Sequence, residues 1–556
     1  MNRLALFFLS FLAAGAGALT VHAQTGAAIP IFSFSGGTTN GAAPEGNLVL
    51  GPDGSFYGTT QGGGTTNGYG TVFKLTTSGV LTTLVTFNGT NGLNPLAGLT
   101  LAPDGNFYGT TEYGGTNFGN TNIPGALGGG SIFRVTTNGT LTTLATLLIT
   151  NGQNPHAGLT WGPGGLFYGT TASGGPFGAG TIFTMTTSGT LTMLTNFNNA
   201  NGAAPVAGLT VGPDGNLYGT AESGGAHGAG TLFKVTPGGS LTVLYTFGAT
   251  ATNGASPQTT MTLGPDGNLY GATAFTSFSP FDLNGTIYRV TTNGTLTTLI
   301  NFDFYNGGNP VGSLTLGPDG NFYGTTYFGD NGNNSNMGIV YSLTTNGVFT
   351  VLAQFDSSTG SFPVSGLTLG PDNNLYGGTT GNGAHGNGTI YRLGLSPIFI
   401  SNPASQSVII GNPANFNSQM FGTAPFAFQW RSNSVPVAGA TGGSLNLPHV
   451  FYQADNAQFQ VVVTNAYGSI TSQVATLSVL LQPNCAGVVN NGDGSYTVVV
   501  GSFPSSLNHL WATTNLSLPS SWQQIAPITT DVNGMGQLLD SNTAGIPAKF
   551  YRLSYP

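Results

Sequence analysis

The chain is predicted to be all-β, built around a seven-bladed β-propeller, and three observations carry that prediction. The string Gly-Pro-Asp-Gly-Asn-Phe-Tyr-Gly-Thr-Thr, or a near copy, occurs seven times, with its tyrosines at Tyr57, Tyr108, Tyr168, Tyr218, Tyr270, Tyr323 and Tyr376. These stand 51, 60, 50, 52, 53 and 53 residues apart, and a period near 50 residues made of short β-type runs is that of propeller blades. Each repeat also holds runs rich in Thr, Val, Ile, Phe and Tyr, separated by Asp-Gly and Asn-Gly, the mark of an antiparallel meander. Finally, the last repeat lacks its fourth run, while the segment before the first repeat contains one.

The elements follow in chain order. Met1 to Arg3 give a short basic start, Leu4 to Ala18 an apolar run, and Val21-His22-Ala23 a small-x-small site. This pattern predicts a signal peptide over 1–23 and export of a chain beginning near Gln24. The run is shorter than the ~20 residues of a spanning helix, so no integral membrane segment is expected after its removal.

The propeller is expected over 24–394. In the second repeat, strand a is Gly98-Leu99-Thr100-Leu101 and strand b is Asn106 to Thr111; strand c is Ser131 to Thr136 and strand d begins at Leu141-Thr142-Thr143-Leu144. A proline precedes strand a in every repeat: Pro44, Pro95, Pro155, Pro205, Pro257, Pro310 and Pro363. Phe34 stands ten residues before Pro44, in the slot that Phe87, Phe197 and Phe302 hold at the ends of strands d. The segment around Ile29 to Phe34 is therefore expected to supply the outer strand of the seventh blade, removing two free sheet edges. The distance from proline to tyrosine is always 13 residues, whereas the b–c loop varies in length. In an up-down blade the b–c and d–a loops share one face, and variable loops on a rigid scaffold are where binding usually resides.

After Leu393 the repeat stops, and Gly394-Leu395-Ser396-Pro397 reads as a linker. Residues 398–480 resemble a bacterial immunoglobulin-like β-sandwich, on Phe428-Gln429-Trp430, Asp455-Asn456-Ala457-Gln458-Phe459, Val463-Thr464-Asn465 and Gly468. The resemblance implies that Trp430 fills the core, with Phe459 in place of the corner tyrosine and Ser418 and Val461 in place of the paired cysteines. Residues 483–556 read as a small C-terminal β domain with Trp511, Trp522, Phe550 and Tyr551 as core aromatics.

The repeat itself, in the Gly-Leu-Thr-Leu-Gly-Pro-Asp-Gly-Asn-(Leu/Phe)-Tyr-Gly-Thr-Thr and Gly-Thr-Ile-Phe-Arg-Val-Thr-Thr-Asn-Gly strings over roughly 29–393, resembles the GloVer tandem repeat of secreted bacterial proteins. The resemblance implies a secreted or cell-surface repeat protein and assigns no activity. Its members often carry a C-terminal sorting anchor; Tyr551 to Pro556 has neither an apolar helix nor a basic tail.

Composition narrows the partners. With 9 Lys and Arg against 17 Asp and Glu, the chain has a net charge of −8 and no basic footprint for nucleic acid. Cys485 is the single cysteine, so no intrachain disulfide forms. No catalytic motif stands out and no cofactor or metal is expected. Asp53, Asp104, Asp214, Asp266, Asp319 and Asp372 sit in Pro-Asp-Gly or Pro-Asp-Asn turns, where aspartate favours the turn backbone. Lys74, Arg134, Lys234, Arg289 and Arg392 share one strand c position and are expected to cover apolar surface or pair with the turn aspartates.

Three functional readings remain. The first is a monomeric, non-enzymatic binding or adhesion protein whose b–c loops meet a neutral polysaccharide or a cell-surface component. Tyr113, Phe118, Phe177, Phe275, Phe278 and Tyr327, with His227 and His385, are its candidate binding residues, since neutral sugars stack on rings and bond to polar side chains. The second is a carbohydrate lyase or hydrolase in the central depression, drawing on Glu112 and Glu222. The third is a structural surface or matrix protein without a discrete ligand.

Overall fold

The computed structural model describes residues 26–116, 118–119, 127–250, 253–277, 284–329, 336–541 and 548–554. The predicted signal peptide lies outside them. The described residues are all-β, their only helical elements being three-residue 3-10 turns, and no helix is long and apolar enough to cross a membrane.

Each of the first six repeats forms one four-stranded antiparallel sheet, and the seventh supplies three strands of another. In the second repeat the strands are Thr100–Leu101, Phe107–Thr111, Ser131–Val135 and Leu141–Thr146, paired in sequence order. Strand b is buried along its whole length. Its glycine is fixed by packing, because a Cβ on Gly109 would come within 2.5 Å of Phe133 and 2.9 Å of Leu99. The turn aspartates do as expected. Asp104 accepts a hydrogen bond from the Asn106 amide at 3.0 Å and from the Tyr108 hydroxyl at 2.7 Å, and Asp214, Asp266, Asp319 and Asp372 repeat the pattern. Where Gly164 replaces the acid, Tyr168 donates to the Pro163 carbonyl instead. Lys74 meets Asp53 at 2.6 Å, the pairing expected of the strand c cations. Tyr218→Phe, which frees Asp214 of one such bond, should cost about 0.5–1.5 kcal/mol in chemical denaturation.

The seventh sheet is completed from the N-terminus. Strand Gly26–Ser33 pairs antiparallel with Thr389–Leu395, from Gly26 opposite Leu395 to Ser33 opposite Thr389. Its register shift between Pro30 and Phe32 matches the bulge that every other strand c–d pair carries, as at Ile132/Phe133. Phe34 follows it, fully buried against Phe73 of the first sheet.

Neighbouring sheets are joined by half-buried threonines. Thr100, Thr160, Thr210, Thr262 and Thr315 each donate to a carbonyl of the next sheet, at Leu159, Leu209, Met261, Leu314 and Leu367. Thr368 of the seventh sheet donates to Leu48 of the first at 2.6 Å, and the Gly366 amide donates to the Asn47 side chain at 2.7 Å. Val49 stands where the first sheet would need this threonine.

The expected linker is instead packed structure. Strand c of the seventh sheet runs on to Leu395, which is fully buried, because Gly26 and Ala27 pair with Leu395 and Gly394. Asn465 donates to the Leu395 and Thr423 carbonyls at 2.7 Å each, and Thr423 donates to Asn374 at 2.6 Å. Beyond it, one six-stranded and two two-stranded sheets enclose one core in the immunoglobulin-like arrangement. Trp430 is fully buried with Phe416, Phe459 and Val461, and its indole N–H donates to the Gly442 carbonyl. Phe459 stacks on Phe416 at 4.7 Å, so an apolar contact stands where a tyrosine hydroxyl would bond.

The C-terminal unit has two three-stranded sheets. Its core is Val498, Val500, Leu510 and Ile528 rather than the expected aromatics. Strand alternation turns Leu510 and Ala512 inward and Trp511 outward, where Arg552 lies over the rings of Trp511 and Trp522. Phe550 is exposed and only Tyr551 packs against the core.

Candidate functional site

All seven sheets contribute to one cavity of about 400 Å³, within the size range of ligand pockets. Two repeat positions build its wall. One is the residue after the proline that precedes strand a: Glu45, Leu96, His156, Val206, Gln258, Val311 and Val364. The other is the fourth residue after the repeat tyrosine, which gives Tyr327 and, beside the wall, Glu112 and Glu222. A second space of about 270 Å³ shares Asn47, Gly98, Gly158, Gly208, Thr260 and Ser313 with the first, so small and polar residues form its floor.

The two positions meet across sheet boundaries. Glu112 of the second sheet lies 3.2 Å from Nε2 of His156 on the third. Glu222 of the fourth accepts from Gln258 of the fifth at 2.9 Å and from Ser256 at 3.2 Å. Tyr327 of the sixth stacks on Phe362 of the seventh, with ring centroids 4.8 Å apart and planes within 20°. The wall is therefore half apolar, half hydrogen-bonding, with one aromatic ring held rigidly at its edge.

The acids do not share one environment. Burial pushes the Glu45 carboxyl up to about 7, and the charge of Glu112 adds to the effect while His156 opposes it. Burial acts on Glu112 too, but the His156 ring, the Tyr113 hydroxyl and the Asn94 side chain outweigh it and hold that carboxyl below the usual range. Burial of Glu45 thus makes its ionised form the unfavourable one. Its contribution to stability is greatest below the unfolded value near 4.5 and is lost as pH rises toward 7. Glu45→Gln should accordingly raise the melting temperature at pH 8 by a few degrees and leave it unchanged at pH 4, measured by calorimetry.

The predicted loop residues scatter. Tyr327 alone of them lines the cavity. Tyr113 and Phe275 stand one residue further along, in bridges to Leu93 and Ala255 that tie the b–c loop to the d–a loop. Tyr113 still borders the site through Glu112. Phe275 packs into the interior between the fourth and fifth sheets. Phe118 packs edge-on to Tyr69. Phe177 is 61% exposed, and His227 and His385 are exposed on loops of different sheets. Phe278 lies outside the described residues. Glu112 is coupled to His156 and Glu45, whereas Glu222 has its own partners on the fourth and fifth sheets. Among the described residues no three of His, Cys, Asp and Glu gather as a metal site would require.

Sequence reading missed His156 and Gln258. After the proline the x position runs Glu, Leu, His, Val, Gln, Val and Val, while the next two residues stay small or polar and lead to a Leu or Met. That change of chemical class inside a constant frame was the available signal.

The Gloeobacter/Verrucomicrobia repeat family matches residues 13–159, 115–277 and 159–391, more than half of the chain. The chain belongs to this family. No curated protein sequence matches this repeat protein. Solved structures that match it include immunoglobulin-domain proteins aligned over a small part of the chain. They include a twitchin kinase fragment from C. elegans (22% identity, 15% of this chain and 20% of that one, TM-score 0.14). A titin M10–obscurin-like 1 immunoglobulin complex matches at 22% identity over 16% of this chain and 97% of that one, with a TM-score of 0.15. The N-terminal Ig1-2 module of the Drosophila receptor protein tyrosine phosphatase DLAR matches at 17% identity over 25% and 94%, with a TM-score of 0.14.

Proposed function

We propose that the protein is an exported, monomeric glycan-binding protein: a seven-bladed propeller, closed by the N-terminal strand, that takes a neutral sugar chain into its axial cavity. Support for the propeller comes from the seven equivalent sheets, their threonine links, and the hydrogen bonds from the seventh sheet to the first. The signal-like start supports export.

The single observation that carries the ligand assignment is the composition of the cavity wall. Amide and hydroxyl groups of Asn47, Gln258, Asn309 and Ser313 alternate with Leu96, Val206 and Val311, and Tyr327 borders them. Sugar rings present hydroxyl edges and apolar faces, which such a wall matches. Lys74 of the strand c position lies beside Asp53 in its turn, and the cavity wall holds Glu45 but no lysine or arginine. Uronates, sulfated glycans and nucleic acids are therefore disfavoured as ligands. The two following β units extend the chain as spacer or attachment modules.

An array of neutral and acidic oligosaccharides, probed with the purified protein and paired with whole-cell pull-down, tests the proposal. Neutral glycans should bind, with little change between low and moderate salt. No binding to any neutral glycan or cell would refute it, and concentration-dependent self-assembly in light scattering would favour a matrix role instead.

A further inference from the structure

The cavity holds three groups that a sugar-binding surface alone does not require. His156 sits in the wall with Nε2 directed at Glu112, 3.2 Å away. That contact fixes the ring and, with Nε2–H donating, leaves Nδ1 as the free base. Glu45 lines the same wall, and its carboxyl has no hydrogen-bond partner among the described residues. Glu112 stands electrostatically coupled to both. One oriented imidazole of the third sheet and one unengaged carboxyl of the first therefore face a shared space, with Glu112 on the sheet between them.

We propose that this cavity hydrolyses a glycosidic bond of the neutral glycan it binds, with Glu45 as general acid, His156 as general base and Glu112 as the residue that positions His156. The inference rests on the glycan-binding reading above. The carboxylic acid of Glu45 gives its proton to the glycosidic oxygen as the bond from that oxygen to the anomeric carbon breaks. A water molecule attacks the anomeric carbon and passes a proton to Nδ1 of His156. The products are a hemiacetal and an alcohol, and the proton returns from imidazolium to the Glu45 carboxylate through solvent. No oxidant or reductant is needed. The environments of the two acids suit these roles: burial keeps Glu45 protonated up to about pH 7, while Glu112 stays ionised. An eliminative lyase fits less well, because the uronate it would act on needs a neutralising cation and the wall offers none.

The full secreted chain should be tested against methylumbelliferyl hexosides and against the oligosaccharides that bind on the array, with binding and reducing-end release measured separately. We expect release of reducing ends, with a rate that declines above about pH 7. Glu45→Gln should lower turnover of unactivated oligosaccharides by on the order of 10²–10⁴-fold, and of the activated aryl glycosides far less, while affinity changes less than tenfold. His156→Ala should slow both substrate types, and Glu112→Gln should displace the alkaline limb of the pH profile. A wild-type protein that binds a glycan and releases no reducing ends from it overturns the inference and leaves the binding proposal standing. Equal loss of both substrate types in Glu45→Gln also overturns it. Absence of both binding and turnover refutes the two together.

Discussion

Deleting residues 24–35 should give a protein that aggregates, or that melts far below the full chain. The deletion removes strand Gly26–Ser33, exposes the full edge of Thr389–Leu395, and takes Phe34 out of a cluster with Phe73 and Ile390. Ile31 and Phe32 pack against the same cluster. Full burial of side chains of this size is worth about 1.5–3 kcal/mol each, against a net stability on the order of 5–15 kcal/mol. An unpaired seven-residue edge also offers a template for intermolecular pairing. Thermal scanning with light scattering checks the result, and a truncation that melts like the full chain would mean that the strand is ornamental.

The second large effect lies in the sandwich. Trp430→Ala empties the centre of a core that also contains Phe416, Phe459, Val461 and Val463, and strands the Gly442 carbonyl that its indole satisfied. Truncating a fully buried tryptophan costs about 3–5 kcal/mol, enough to unfold a small domain of ordinary stability. Limited proteolysis should then cut within 398–480 while the seven sheets survive. Because Asn465 and Thr423 bond to Leu395 and Asn374 at the junction, the seventh sheet should show the first secondary loss of protection in hydrogen exchange.

The repeats were legible in sequence because punctuation, not hydrophobic alternation, announced them. Pro-Asp-Gly and Asn-Gly marked the turns, and a fixed 13-residue step from proline to tyrosine marked strand a. The N-terminal completion of the seventh sheet followed from the place of Phe34 and from the missing fourth run of the last repeat. The site was less legible. Strand b is buried along its whole length, so its residues carry no in-out pattern from which to decide which loop-stem residue turns toward the cavity. The aromatic residues Tyr113 and Phe275 draw attention, yet the positions equivalent to the cavity-lining Tyr327 are one residue earlier, at Glu112 and Ala274. A slip of one residue exchanges the two faces of a strand. His156 is hidden differently: it shares its position with Leu96 and Val206, and no motif marks it. In the C-terminal unit, size alone predicts the large aromatics as core, whereas alternation and the Arg552 contacts put Trp511 at the surface.

Ligands either enter the cavity or dock on the loop rim. Isothermal titration of one array-positive oligosaccharide into Tyr327→Ala, Gln258→Ala and Phe177→Ala decides between them. The cavity assignment predicts that Tyr327→Ala and Gln258→Ala each weaken binding tenfold or more, while Phe177→Ala, altering an exposed rim residue, binds like the wild type. Loss of binding in Phe177→Ala with full retention in the two cavity variants would contradict it.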